Sequence, residues 1–141
     1  MNWLLNLLQS IVFQTVMSGV LVFVLSEIIQ KFFLEPLLRY KKVIGKIDNQ
    51  LKFYANIITN PGNILPREIY LECSNTLRKL SCELEATYKQ IPFKKLTTRR
   101  KISDVASRLI RLSNNLSRPG EALHNSGDID EIRKDLDIPK L

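Results

Sequence analysis

The residues best suited to binding another molecule are the arginines and lysines between positions 94 and 118. This segment holds eight basic residues against the single acid Asp104. Guanidinium and ammonium groups bind phosphate oxygens, and arginine can do so with two parallel hydrogen bonds. The predicted anion-binding or lipid-binding residues are Arg99, Arg100, Lys101, Arg108 and Arg111.

Three kinds of partner remain open for this basic segment. Anionic lipids attract polybasic segments to a membrane surface. A nucleotide second messenger would meet Arg99 and Arg100 at a helix N-terminus, where free backbone amides favour anions. The segment from Glu121 to Leu141, with six acids against three basic residues, could instead neutralise the charge within the fold. Nucleic acid is disfavoured, because Phe93 is the only aromatic residue close to the basic segment and bases are usually stacked on several aromatic side chains.

Amide and hydroxyl residues recur every four positions at the start of the chain. They are Asn2, Asn6, Ser10, Gln14 and Ser18. On a helix such a row drifts by about 40° per step and forms one inclined stripe. In hydrocarbon these groups need hydrogen-bond partners, which a second copy of the same helix can supply. We therefore predict a homo-oligomer that associates through Asn6, Ser10, Gln14 and Ser18, with a water-lined pore as the more demanding alternative.

The remaining reactive residue types form no pattern that supports catalysis. The sole histidine, His124, falls in a Gly/Asn/Ser segment that we expect to be a loop. Cys73 and Cys82 are nine positions apart on one predicted helix, too far apart to pair, and are expected to be small buried residues. The sequence has no phosphate-binding or nucleophile-elbow motif. We predict a non-enzymatic protein with no catalytic residue, cofactor or metal.

The element that would hold the polar stripe is a membrane-spanning helix. The first 26 residues carry no charged side chain, and a helix of that length rises about 39 Å, enough to cross a hydrocarbon core of about 30 Å. A signal peptide fits poorly, since no basic residue precedes the apolar run and no A-x-A-like cleavage site follows it.

The charges that follow this helix predict its orientation. From Glu27 to Ile58 there are six basic residues against three acids. Because lysine and arginine near a span are retained in the cytoplasm, we expect the N-terminus outside and the C-terminus inside. The predicted domains are a transmembrane helix with its juxtamembrane extension over residues 1–34 and a cytoplasmic, basic helical bundle over residues 35–141.

The elements that would position the basic segment are also helices. Three stretches repeat apolar residues at steps of three and four, from Leu37 to Ile58, from Tyr70 to Ile91 and from Ile102 to Leu116. No segment alternates with a period of two over strand length, so we predict an all-α fold. Short connections favour antiparallel neighbours in one bundle, although the same spacing permits a coiled coil between protomers.

Prolines, glycines and capping residues predict the helix boundaries. Pro36 should separate the span from the first apolar seam by a kink or short break. Asn60-Pro61-Gly62 should close the first of the three helices, and Thr97 or Thr98 should cap the third. A short fourth helix is predicted from Asp128 to Leu136, with Asp128 as its cap.

Several motifs of this sequence also resemble those of a known group of proteins. They are Glu35-Pro36 through Lys41-Lys42-Val43-Ile44-Gly45, Tyr54-Ala55-Asn56, Asn60-Pro61-Gly62, Leu77-Arg78-Lys79-Leu80-Ser81 and Glu131-Ile132-Arg133-Lys134. These stretches resemble an uncharacterised family of small bacterial proteins with one N-terminal span and a helical cytoplasmic domain. The resemblance implies a bacterial inner-membrane location and carries no activity.

Two functional hypotheses follow from these features. In the first, the span self-associates and the basic cytoplasmic domain receives a protein partner or an anionic signal. In its most specific form this hypothesis resembles membrane effectors of bacterial antiviral defence, in which a cytoplasmic domain senses an infection product such as a cyclic oligonucleotide and the span impairs the membrane. The alternative is a structural tether, an accessory subunit that holds a soluble partner at the membrane without changing permeability.

Overall fold

All regular secondary structure in the described part of the chain is helical. The computed structural model describes residues 11–62, 66–92, 96–118 and 120–138, and these ranges contain no β-strand. The helices are α1 (Ile11–Ile29), a π-helical turn (Gln30–Leu34), α2 (Glu35–Phe53), α3 (Ala55–Thr59), α4 (Arg67–Gln90), α5 (Leu96–Asn115) and α6 (Ala122–Asp135). The prediction of an all-α fold is confirmed. The chain divides into two compact units, Met1–Glu35 and Pro36–Leu141.

The first unit contains one helix that is long and apolar enough to cross a membrane, by length and composition. None of the 19 residues of α1 is buried. Its large aliphatic and aromatic side chains are exposed, with Val12, Phe23 and Leu25 all more than half accessible. An apolar helix of this kind needs cover that the described residues of the chain do not provide.

The backbone before Pro36 stays helical and does not form the short break that was one of two predicted alternatives. Gln30–Leu34 forms a π-helical turn, and the flanking residues Ile29 and Glu35 both keep right-handed helical angles. Proline lacks a backbone N–H and its ring crowds the carbonyl four residues earlier, here that of Phe32. A widened π turn relieves this crowding without ending the helical conformation, so the short break is not found. The kink stays a prediction, and a π turn before a proline is a usual place for one.

The second unit is built around a core formed by the predicted apolar seams. All five residues of the third seam, from Ile102 to Leu116, are buried. The central part of the second seam is buried as well, from Cys73 to Leu84. The first seam is buried from Ile47 to Ile58, whereas Tyr40 and Ile44 are only partly buried and Leu37 at its start is exposed. The buried Val43 lies outside the predicted seam.

Polar contacts between α4 and α5 fix how these two helices meet. Arg78 donates from Nη2 to Asn114 Oδ1 at 2.6 Å, and the buried Ser81 hydroxyl donates to the carbonyl of Ala106 at 2.9 Å. The contacting positions therefore rise along α4, from 78 to 81, while they fall along α5, from 114 to 106. Helix α6 packs against both α5 and α3.

Several predicted boundaries were wrong, each for a local reason. The helix of the first seam is interrupted at Tyr54, whose backbone angles leave the helical region. Helix α5 begins at Leu96, so neither Thr97 nor Thr98 precedes it as a cap. Helix α6 begins at Ala122, six residues before the predicted start, so Asp128 lies inside it. His124 is helical for the same reason. The predicted stop after α3 is found, with Gly62 at φ 82°.

Buried amides join the ends of three helices. Asn125 of α6 is fully buried, and its Nδ2 donates to the carbonyl of Ile58 at 2.8 Å. Its Oδ1 accepts from Asn115 Nδ2 at 3.3 Å. The backbone N–H of Gly62 donates to the carbonyl of Leu116 at 3.3 Å. Carbonyls at helix C-termini have no partner within their own helix, so these bonds satisfy groups that would otherwise be buried unpaired.

Candidate functional site

The polar residues of α1 are the first candidate site. Gln14 and Ser18 are both exposed, and Asn6 and Ser10 lie outside the described residues. Ser18 Oγ donates to the carbonyl of Thr15 at 2.9 Å, and Thr15 Oγ1 donates to the carbonyl of Ile11 at 2.8 Å. Hydroxyls that bond back to their own helix are already satisfied and gain less from a neighbouring helix.

Gln14 stands apart from these hydroxyls. Within residues 11–62 and the later described ranges, its amide makes no hydrogen bond to another residue. An amide has two N–H donors and one acceptor oxygen, and leaving them unpaired in hydrocarbon is costly. Of the predicted association residues that are described, Gln14 is therefore the one with unmet hydrogen-bonding capacity. Gly19 beside the stripe has open space around it, because a Cβ added there would meet no heavy atom within 4 Å.

The basic residues in the second half of α5 face acids of α6. Arg111 donates from Nε to Asp128 Oδ2 at 2.7 Å, and its Nη2 bonds the other oxygen of the same carboxylate. Asp128 is buried, with 5% of its surface accessible. The hydrogen bond to Asp128 raises the pKa of Arg111. Arg108 contacts Glu131 and lies 3.9 Å from Asp135.

These contacts compensate the charges of Arg108 and Arg111 inside the second unit. Internal pairing was one of the three uses open to the basic segment. Arg108 and Arg111 are paired internally in this way. Both guanidinium groups therefore have an acidic partner within the described part of the chain.

The other three predicted anion-binding residues lie near the start of α5. Arg99, Arg100 and Lys101 are all exposed, and none forms an ion pair with a residue in the described ranges. Consecutive residues of a helix point about 100° apart, so the three cations spread around the helix rather than converging on one point. Such an arrangement suits a broad acidic or lipid surface better than a small ligand.

A second basic surface lies between α2 and α4. Arg39, Lys42 and Lys46 are spaced by three and four residues on α2 and line a cleft opposite Glu83 and Gln90 of α4. From the sequence, these cations predict the orientation of the span. Their helical spacing is the signal that would have placed them on one face.

The residue types that hold metals or perform catalysis are dispersed. Within the described ranges, no group of three histidine, cysteine or acidic residues could hold a metal ion. His124 Nε2 lies 4.0 Å from Asp128 Oδ2, on a carboxylate already bonded by Arg111. Cys73 is buried as expected, whereas Cys82 is exposed, so the expectation of burial was wrong for Cys82.

Comparisons with protein-family models, with curated proteins and with solved structures find no match to this chain. The resemblance to small bacterial membrane proteins therefore stays a prediction.

Proposed function

We propose that this chain is a non-enzymatic, single-pass protein of a bacterial inner membrane. In this proposal its span self-associates, and its basic helical domain receives a partner or an anionic signal in the cytoplasm. The observation that carries the proposal is α1: its 19 residues are mostly apolar and none is buried. A helix of this length rises about 28 Å, close to the thickness of a hydrocarbon core.

An apolar N-terminal helix can also be the core helix of a soluble protein or a signal sequence. A core helix is mostly buried, which argues against that role for α1. A signal sequence passes the same test of length and composition as a span. The fractionation experiment below separates the two, because a cleaved signal would be lost from the chain.

The charge distribution supports the proposed orientation. Lys31 and the basic residues of α2 follow the apolar stretch, while the side chains before Glu27 are uncharged. Under the positive-inside rule, Pro36–Leu141 would then lie in the cytoplasm. We further propose that this unit is an antiparallel bundle. The contacts between α4 and α5 support this, because they run in opposite directions along the two helices.

The proposed receiving surface is the exposed basic part of the second unit. Arg99, Arg100 and Lys101 have no ion pair within the described ranges, whereas Arg108 and Arg111 are paired with α6. A protein partner with an acidic surface or a lipid surface fits this distribution. A nucleotide second messenger would need cations that converge, supplied by neighbouring protomers of an oligomer.

A structural tether is the second candidate function. Its support comes from α1, where the hydroxyls of Thr15, Ser18 and Ser26 all bond to carbonyls of their own helix. A pore needs side chains that face water, and hydroxyls bonded in this way offer little to a water-filled channel. This favours a span that holds a complex together over one that conducts.

The proposal is tested by fractionation and protease protection of the full chain in bacterial cells. We expect the chain to stay in the membrane pellet after a carbonate wash at its full length. Protease added outside spheroplasts should remove an N-terminal tag and spare a C-terminal one. Recovery of the chain in the supernatant without detergent, loss of the first 26 residues, or digestion of the C-terminal tag would contradict it.

A further inference from the structure

The cleft between α2 and α4 has the composition of an anion site. It has a volume of about 330 Å³ and is lined by Arg39, Lys42 and Lys46 from α2 and by Glu83, Thr87 and Gln90 from α4. One water occupies about 30 Å³ of the liquid, so the cleft has room for a group much larger than a single water.

The charges in the cleft are only partly compensated. Lys46 Nζ lies 2.6 Å from Glu83 Oε1, so this cation is paired across the cleft. Lys42 is exposed and forms no ion pair with a residue in the described ranges. Lys42 therefore leaves the cleft with a positive charge that no acid in the described ranges pairs, and this charge attracts an anion.

The hydrogen-bonding groups of the cleft are mainly donors. The Thr87 hydroxyl donates to the carbonyl of Glu83 at 2.7 Å, so it can only accept from a ligand. Lys42 offers ammonium protons and the exposed Gln90 offers an amide N–H₂ from the opposite helix. A phosphate group, with several acceptor oxygens, can bond donors on both walls at once.

The position of the cleft in the chain brings it within reach of a membrane surface. Arg39 follows Leu34, the last residue of the π turn, by five residues, which span at most about 18 Å of chain. We propose that this cleft binds a phosphate group, supplied by the headgroup of an anionic lipid at the cytoplasmic surface. The phosphate chemistry rests on the cleft itself, and the lipid source rests on the proposed function.

The test is native mass spectrometry of the full chain released from neutral maltoside micelles, which counts lipids bound to each chain. Phosphatidylglycerol should be retained in preference to phosphatidylcholine. Lys42→Gln should weaken phosphatidylglycerol binding about tenfold, the effect of losing one charge-assisted hydrogen bond to the phosphate. Lys41→Gln is the matched control, because Lys41 is an exposed neighbour of the same charge that does not line the cleft.

A second variant tests the cleft in the opposite direction. Glu83→Gln removes the carboxylate that pairs with Lys46 and should tighten phosphatidylglycerol binding several-fold. Equal losses in Lys42→Gln and Lys41→Gln, equal retention of the two lipids, or weaker binding by Glu83→Gln would each overturn the proposal. Circular dichroism of each variant should match that of the parent chain.

Competition with glycerol phosphate separates the two sources of the group. If millimolar glycerol phosphate displaces the lipid from the parent chain but has less effect on Lys42→Gln, the cleft recognises a phosphate that need not be lipid-bound. This result supports the site even if fractionation fails to place α1 in the membrane. If glycerol phosphate has no effect while the lipid preference persists, the headgroup is the source.

Discussion

At the scale of single residues, the pairing of Arg111 with Asp128 decides how much of the basic segment is available. A buried carboxylate that accepts two hydrogen bonds from one guanidinium is strongly tied to it, and separating the pair would leave Asp128 buried without compensation. Neutralisation by the acidic C-terminal segment is one of the three uses that the sequence leaves open for the basic segment. The sequence does not predict that Asp128 turns inward, because its helix begins six residues earlier than the capping pattern indicates.

The two cysteines give a prediction about reactivity. Burial raises the pKa of Cys73 to about 12, whereas Cys82 is exposed. In the native full chain at pH 8, maleimide should label Cys82 quickly and Cys73 only after denaturation, because the thiolate is the nucleophile. Mass spectrometry of digested protein gives both rates. Cys82→Ser should abolish native labelling, and comparable rates at the two thiols would refute the prediction.

The same pKa shift has a consequence for stability at alkaline pH. The folded state holds the Cys73 thiol neutral above its ordinary pKa of 9.0. Its contribution to the free energy of unfolding is therefore fully present below pH 9 and is lost as the pH rises toward 12. Acidification should leave this contribution unchanged.

At the scale of helices, the apolar spacing predicted the elements well and their ends less well. Period-three-and-four seams predict that α4 and α5 exist and which faces they bury, because burial repeats with each helical turn. The interruption at Tyr54 was missed, since the seam continues through it without a proline or glycine. The sequence does not distinguish the exposed Arg99, Arg100 and Lys101 of the predicted anion site from the paired Arg108 and Arg111, because all five are basic residues of one helix. The two groups differ because α6 supplies acidic partners to Arg108 and Arg111.

The joint between helix ends gives a prediction about stability. Asn125→Ala leaves the Ile58 carbonyl and the Asn115 amide unpaired and buried, so the free energy of unfolding should fall by about 1–3 kcal/mol. Urea titration of the full chain in maltoside micelles, followed by circular dichroism, measures the change. Asn114→Ala is the control, because Asn114 makes an exposed bond to Arg78 and its loss should cost under about 1 kcal/mol. Equal effects of the two substitutions would argue against the joint.

At the scale of the whole molecule, substitution of the Gln14 amide gives an experiment that distinguishes the two candidate functions. Gln14→Leu removes the unsatisfied amide of α1 and should weaken association about fivefold, as expected for an interhelical hydrogen bond of about 1 kcal/mol. Energy transfer between labelled chains in liposomes measures the association. Thr15→Val is the control, because the Thr15 hydroxyl is already bonded to Ile11.

The same pair of variants distinguishes an effector from a tether in cells. An effector should depolarise the membrane on induction with its activator, as reported by a potential-sensitive dye, and Gln14→Leu should reduce that signal while Thr15→Val does not. A tether should leave the potential unchanged in all three proteins. Unaltered association in Gln14→Leu would remove the role of this amide in either function.

The bond between Asn125 and Ile58 also sets an order of events during synthesis. The two residues are 67 positions apart, so at about 5–20 residues per second the ribosome needs roughly 3–13 s to extend from one to the other. During that interval the Ile58 carbonyl cannot accept its hydrogen bond, because Asn125 has not yet been translated. The apolar N-terminal stretch is translated before either residue, and in the proposed membrane protein it is the part that targeting factors would bind. If α1 is the proposed span, delivery of the nascent chain to the membrane would begin before the Asn125–Ile58 bond can form.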